Sequence, residues 1–166
     1  LGWQHSGVEK AGQYLSALDV MSNSAAPREI DADRRDASDT LALNRLYAGW
    51  LTLADVWAMP AAGGTVVLSP STGEEGTLLA VVALGSDRFL TIELLTADGL
   101  DAHLPTDGIA VHVVVVASGV VTDMTPLVGE APYTDLLQPG GTLTAEGVEI
   151  SVGAAWSVTI VPSLGS

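Results

Sequence analysis

The chain has 166 residues and a mass of 17.0 kDa, enough for one domain or for a domain remnant joined to a small second one. Its 20 acidic against 6 basic residues leave a net charge of −14, which argues against nucleic acid or an anionic membrane as partner, because both require basic patches. Apolar residues make up 48%, ample for a core; no apolar run approaches the roughly 18 residues of a bilayer span, and the absence of cysteine removes any disulfide framework.

The chain opens Leu1-Gly2-Trp3-Gln4-His5-Ser6. A glycine three residues before a histidine is what a third metal ligand needs once a helix has supplied two. The glycine breaks the helix, the chain turns, and the histidine approaches the ion from another side. Gly2 and His5 fit the second half of the pattern H-E-x-x-H-x-x-G-x-x-H, which places the first two histidines and the general-base glutamate upstream of Leu1. No catalytic residue is therefore expected within the chain itself, and His5 is the candidate metal ligand. A glycine and histidine at this spacing also arise by chance, and the plain alternative for His5 is a surface histidine.

Further along, Asp19-Val20-Met21-Ser22 offers a turn containing methionine. Arg28 to Asp36 is a mixed-charge run that reads as a solvated loop or a short exposed helix. A helix is predicted over Ser38 to Leu51, with Leu43, Leu46, Tyr47 and Trp50 spaced along one apolar face, Ser38 as N-cap and Asp39 in the first turn. From Ala61 onward the pattern changes to strands: Thr65 to Ser69, Thr77 to Leu84, Phe89 to Leu95, Ile109 to Ala117, Val148 to Val152 and Ser157 to Val161. Between them lie glycine-rich turns and an irregular excursion from Asp123 to Gln138. This spacing predicts an antiparallel β-sandwich over residues 61–166, after a first unit over 1–60, and an α+β fold class. Trp50 and Trp57 stand just before the boundary, where they could join the two halves.

Together these pieces resemble the secreted metzincin-type zinc peptidases of the immune inhibitor A and gametolysin kind. The resemblance rests on Leu-Gly-Trp-x-His-Ser, on Asp19-Val20-Met21-Ser22 and on the helix ending Ala48-Gly49-Trp50-Leu51. It extends to the strand Arg88-Phe89-Leu90-Thr91-Ile92-Glu93-Leu94, to Asp98-Gly99-Leu100-Asp101 and to Asp107-Gly108-Ile109-Ala110-Val111-His112. Leu95, where the family pattern has arginine, and the short Ala-rich stretch after Met21 are departures. The resemblance implies the C-terminal part of a catalytic domain, its Met-turn and one helix, followed by the β-sandwich. It also implies zinc as cofactor, Met21 as the hydrophobic floor beneath it, residues 22–26 lining the primed side of the cleft, a protein or peptide substrate, and an extracellular location. No signal peptide is visible in the chain.

The other candidates carry weaker signals. Core filler is the usual fate of methionine, and a floor beneath a metal is buried too, so either reading of Met21 predicts burial. Glu93, inside an apolar strand, would face solvent if the strand alternates, and His112 reads as a sheet-face histidine. Asp98, Asp101 and Asp107 could gather around calcium, but such spacing is common in exposed turns and lacks the regular EF-hand pattern, so the solvated turn is the preferred reading. Serines are plentiful, yet with 3 histidines and no nucleophile-elbow motif a serine hydrolase is poorly supported. Two functions stand: a zinc endopeptidase of which this chain is the C-terminal portion, inactive as a fragment, and a non-catalytic β-sandwich module binding a glycan, a protein or calcium. With the preceding helix missing, the first forty residues are expected to be loosely ordered.

Overall fold

The structure is a computed structural model that describes residues 16–22, 38–130 and 133–163. Among them nine strands build two sheets, with one short helix. The strands are β1 (Val56–Ala58), β2 (Gly64–Val67), β3 (Leu79–Ala83), β4 (Arg88–Leu95), β5 (Gly108–Ala117), β6 (Val120–Pro126), β7 (Thr142–Ala145), β8 (Val148–Val152) and β9 (Ser157–Pro162); the helix is α1 (Ala42–Tyr47). One sheet runs β1-β3-β4-β5-β6 and the other β2-β9-β8-β7. Every pairing is antiparallel except β1 with β3, which is parallel.

The two sheets pack face to face over a core of branched aliphatic side chains. Leu90, Ile92 and Leu94 of β4 and Ile109, Val111 and Val113 of β5 meet Val148, Ile150, Val152, Val158 and Ile160 of the opposite sheet. These are alternate positions along each strand, as a pleated sheet requires. The four-stranded sheet turns its other face to solvent, and β7 and β8 alternate accordingly. The five-stranded sheet does not. β4 is buried continuously from Leu90 to Leu95, and β5 from Gly108 to Val114, because a third layer covers its outer face.

That layer is a strap made of residues 16–22 and 38–51. Leu18 and Leu41 pack with Leu95, Ala110, Val114 and Met124, while Ala42 and Leu51 pack with Leu78 and Leu79. Of the first forty residues, for which the sequence predicts loose order, the described strap residues Ser16 to Asp19, Ser38 and Thr40 are buried. β1, on the N-terminal side of the predicted boundary at residue 60, pairs with β3 inside the five-stranded sheet.

The helix is shorter than the pattern predicts and turned differently. Its N-cap is Leu41, which has no side-chain capping bond; Ser38 instead donates its hydroxyl to Ala17 O at 2.8 Å. The buried positions are Ala42 and Asn44, whereas Tyr47 and Trp50 are exposed, at 48% and 62%. The apolar stripe read from the sequence faces a groove. Trp57, the other junction tryptophan, is partly buried against the inter-sheet core.

Two hairpins explain strands that the sequence pattern did not reveal. Ser118 and Gly119 both have positive φ, as do Glu146 and Gly147, so β5–β6 and β7–β8 are each closed by a two-residue turn of the type that matches strand twist. Gly63, at φ +82°, has no room for a side chain: a Cβ there would lie 2.5 Å from Ile160 O. The Arg88–Glu146 ion pair at 2.7 Å links β4 to the β7–β8 turn, but its exposure limits it to a few tenths of a kcal/mol, about 0.5 at most.

Candidate functional site

Asp19-Val20-Met21-Ser22 forms a tight turn fixed to the rest of the strap. Ser22 N donates to Asp19 O at 2.9 Å, closing the turn, and Met21 N donates to Asp19 Oδ1 at 3.2 Å. An aspartate at the first position of a turn does this because its short side chain reaches the amide two residues on. The same fully buried carboxylate accepts from Thr40 Oγ1 and from Asn44 Nδ2, both at 3.2 Å. Val20 N donates to Asp39 O at 3.1 Å, and the Ser22 hydroxyl accepts from Ser16 N at 3.2 Å. The turn is thus bound on one side to the strand-like run 38–40 and on the other to α1. Met21 sits partly buried at its outer corner.

The strap in turn is held to the sandwich by side chains of the sandwich. Glu93 Oε2, from the outer face of β4, accepts from Ala42 N at 2.9 Å. Asp101 Oδ1, from the short 3-10 turn Gly99–Asp101, accepts from Asp39 N at 2.9 Å. His103 Nε2 lies 2.8 Å from Ala17 O; a carbonyl only accepts, so this nitrogen carries the proton.

Glu93 is 1% exposed, which corrects the solvent-facing expectation. Alternation does place it on the opposite face from Ile92 and Leu94, but that face is roofed by the strap. Burial pushes its carboxyl up to about 7, with the charges of Asp19 and Asp101 adding to the rise; the Ala42 amide pulls the other way. The buried Ser71 hydroxyl lies alongside and favours the carboxylate, short of hydrogen-bond geometry. Asp101 is raised to about 6, again chiefly by burial; the Asp39 amide pulls it down, while the like charge of Asp39 adds to the rise. His112 is a sheet-face histidine as expected, opposite Thr91 and Pro126, fully buried with neither ring nitrogen bonded, and burial lowers it to about 4.

His5 and residues 23–26 lie outside the described residues. Among the described residues no three histidine or acidic side chains converge as metal ligands. Asp98, Asp101 and Asp107 are engaged separately, by Thr96 Oγ1, Asp39 N and Ala97 N. Sequence reasoning brought out the Asp19–Ser22 turn but not the role of Glu93 and Asp101, whose buried carboxyls accept the strap amides of Ala42 and Asp39. The available signal was a lone glutamate in an otherwise apolar run with no polar partner two positions away on the same face except Thr91.

A second feature lies beside α1. An apolar groove of about 570 Å³ runs between the helix and the outer face of the five-stranded sheet, lined by Leu43, Leu46, Tyr47, Leu53, Val81, Phe89, Val114 and Val121. Among the described residues along its walls, only Thr91 and Tyr47 carry a polar group. Leu53 at its mouth is 80% exposed.

Strap, turn and two sheets define the molecule as a β-sandwich carrying an N-terminal docking layer. Comparison with protein-family models, with curated proteins and with solved structures finds no match for this chain.

Proposed function

We propose that this chain serves as the C-terminal portion of a zinc endopeptidase acting outside the cell on protein or peptide substrates. The observation that supports the reading best is the construction of the Asp19–Ser22 turn. A methionine-bearing turn can act as a floor for a metal centre only if it is held rigidly, and here, among the described residues, Met21 N, Thr40 Oγ1 and Asn44 Nδ2 converge on one buried carboxylate to hold it. The resemblance of Gly2 to His5, of this turn and of the Glu93 strand to metzincin peptidases supplies the chemistry.

In this reading His5 would be the third zinc ligand and Met21 would supply the hydrophobic floor of the site. The glutamate and the two other histidines belong to polypeptide preceding Leu1. Zinc held by three histidines supplies an activated water for attack on a peptide carbonyl. One histidine alone does not make such a site, so the 166-residue chain by itself is expected to show no zinc-dependent proteolysis. The sandwich and strap contribute position: they hold the turn in place.

The groove favours a second reading, a non-catalytic module that receives an apolar segment of a protein partner; its walls offer little to a glycan. Reading the genomic DNA immediately upstream of the Leu1 codon separates the two. An in-frame H-E-x-x-H followed by one residue before Leu1 is expected. An unrelated frame or a stop codon there would leave the module and return His5 to an ordinary role.

A further inference from the structure

The strap meets the sandwich through acids on both sides of the junction. Glu93 and Asp101 belong to the sandwich and accept backbone amides of the strap, at Ala42 and Asp39. Asp19 and Asp39 belong to the strap and face those same carboxyls across the contact. Asp19, Glu93 and Asp101 are all at most 3% exposed. A carboxyl accepts an amide hydrogen bond whether or not it is ionised, but only the ionised form pays for burial and repels a like charge across the junction. Ionisation therefore works against docking, whereas protonation preserves the hydrogen bonds and removes the repulsion.

We infer that the strap is a pH-responsive clamp, seated firmly on the five-stranded sheet in weak acid and loosened as the pH rises through neutrality. The Asp19–Ser22 turn would move with it. The inference uses only the strap and its anchors, so it stands whether or not the chain belongs to a peptidase.

The groups facing the two anchors act with different signs. Glu93, raised from 4.5 to about 7, contributes stability that is full below 4.5 and lost as the pH climbs to 7. Asp101, raised from 3.8 to about 6, does the same over its lower range, with Asp98 opposing its ionisation and His103 favouring it. His112, on the neighbouring strand and lowered from 6.5 to about 4, acts oppositely: its contribution is lost as the pH falls through 6.5. Arg45 of α1 is turned to the backbone oxygen of Ser71 rather than to either anchor. Combining the three shifts leaves a net loosening of roughly tenfold in the opening equilibrium between pH 5.5 and 8.

Hydrogen exchange tests this on the whole chain, with intrinsic rates corrected for pH. The amides of Val20, Asp39 and Ala42 should lose roughly tenfold in protection from pH 5.5 to 8, beyond any change at Ile92 and Val111 within the sheets. Glu93→Gln keeps an acceptor for Ala42 N and removes the main titration, so the strap's loss at pH 8 should vanish or reverse. Asp101→Asn should reduce the loss without abolishing it. Strap protection that is independent of pH in the natural protein overturns the inference, and that result needs no variant to fold. Full retention of the tenfold effect in Glu93→Gln would overturn it as well.

Discussion

Replacing Asp19 with alanine should free the Met21 turn from the strap and cost about 3 kcal/mol of local stability. Among the described residues, Met21 N, Thr40 Oγ1 and Asn44 Nδ2 donate to this carboxylate. Asp19 and Asn44 are 0% and 2% exposed, so water does not replace the lost acceptor at little cost. Asp19→Asn retains an acceptor oxygen and should cost about 1 kcal/mol. Hydrogen exchange at Val20 and Ser22 reads the difference, with the sandwich amides as internal reference. Unchanged protection in Asp19→Ala would mean that the turn is held by something other than this carboxylate.

A comparable loss, about 3–4 kcal/mol, is expected for Ile160→Ala, this time in the global stability of the sandwich. Ile160 lies at the middle of β9, paired with Gly64 on one side and Ile150 on the other, and is fully buried between the sheets. The core side chains around it stand on strands fixed by ladders on both sides, so they cannot readily collapse into the space left behind. Val161→Ala, one residue on and 39% exposed, should cost less than about 1 kcal/mol. Denaturant titration measures both: the midpoint should shift for Ile160→Ala with little change in slope. A loss under about 1 kcal/mol at Ile160 would contradict the placement of the core between these two sheets.

The sandwich was legible in the sequence wherever strands combine β-branched runs with glycine turns, as in β4, β5, β8 and β9. β6 and β7 were not, because Ser118-Gly119 and Glu146-Gly147 make tight hairpins without the Asn-Gly or Asp-Gly sequences that usually announce them. β1 is three residues long and finds its partner through a parallel pairing, which leaves no local mark. The helix was over-extended because the spacing of Leu43, Leu46, Tyr47 and Trp50 records an apolar stripe but not which surface it meets. That stripe lines the groove or stays exposed, and the buried contacts fall instead to small Ala42 and polar Asn44.

The misreading of Glu93 has the same origin. Period-two alternation tells which residues share a face, and it assigned Glu93 correctly to the face away from Ile92. Whether that face meets water depends on a strap forty or more residues away in the chain, which no local pattern encodes. Asp19 and Asp101 were hidden likewise: each looks like an ordinary turn aspartate until the strap and the sheet are brought together. The turn itself was legible because its logic is local, an aspartate reaching the amide two residues ahead.

The central claim is that His5 and the Asp19–Ser22 turn belong to a zinc centre. It is tested most directly on the protein expressed with its upstream codons, by measuring bound zinc and chelator-sensitive hydrolysis of casein before and after His5→Ala. The account predicts zinc and activity in the natural protein, and loss of both by more than roughly 100-fold in the variant, beyond what removal of an outer partner of a ligand costs. A His5→Ala protein that keeps its zinc and its activity, or a natural protein that has neither, would contradict it.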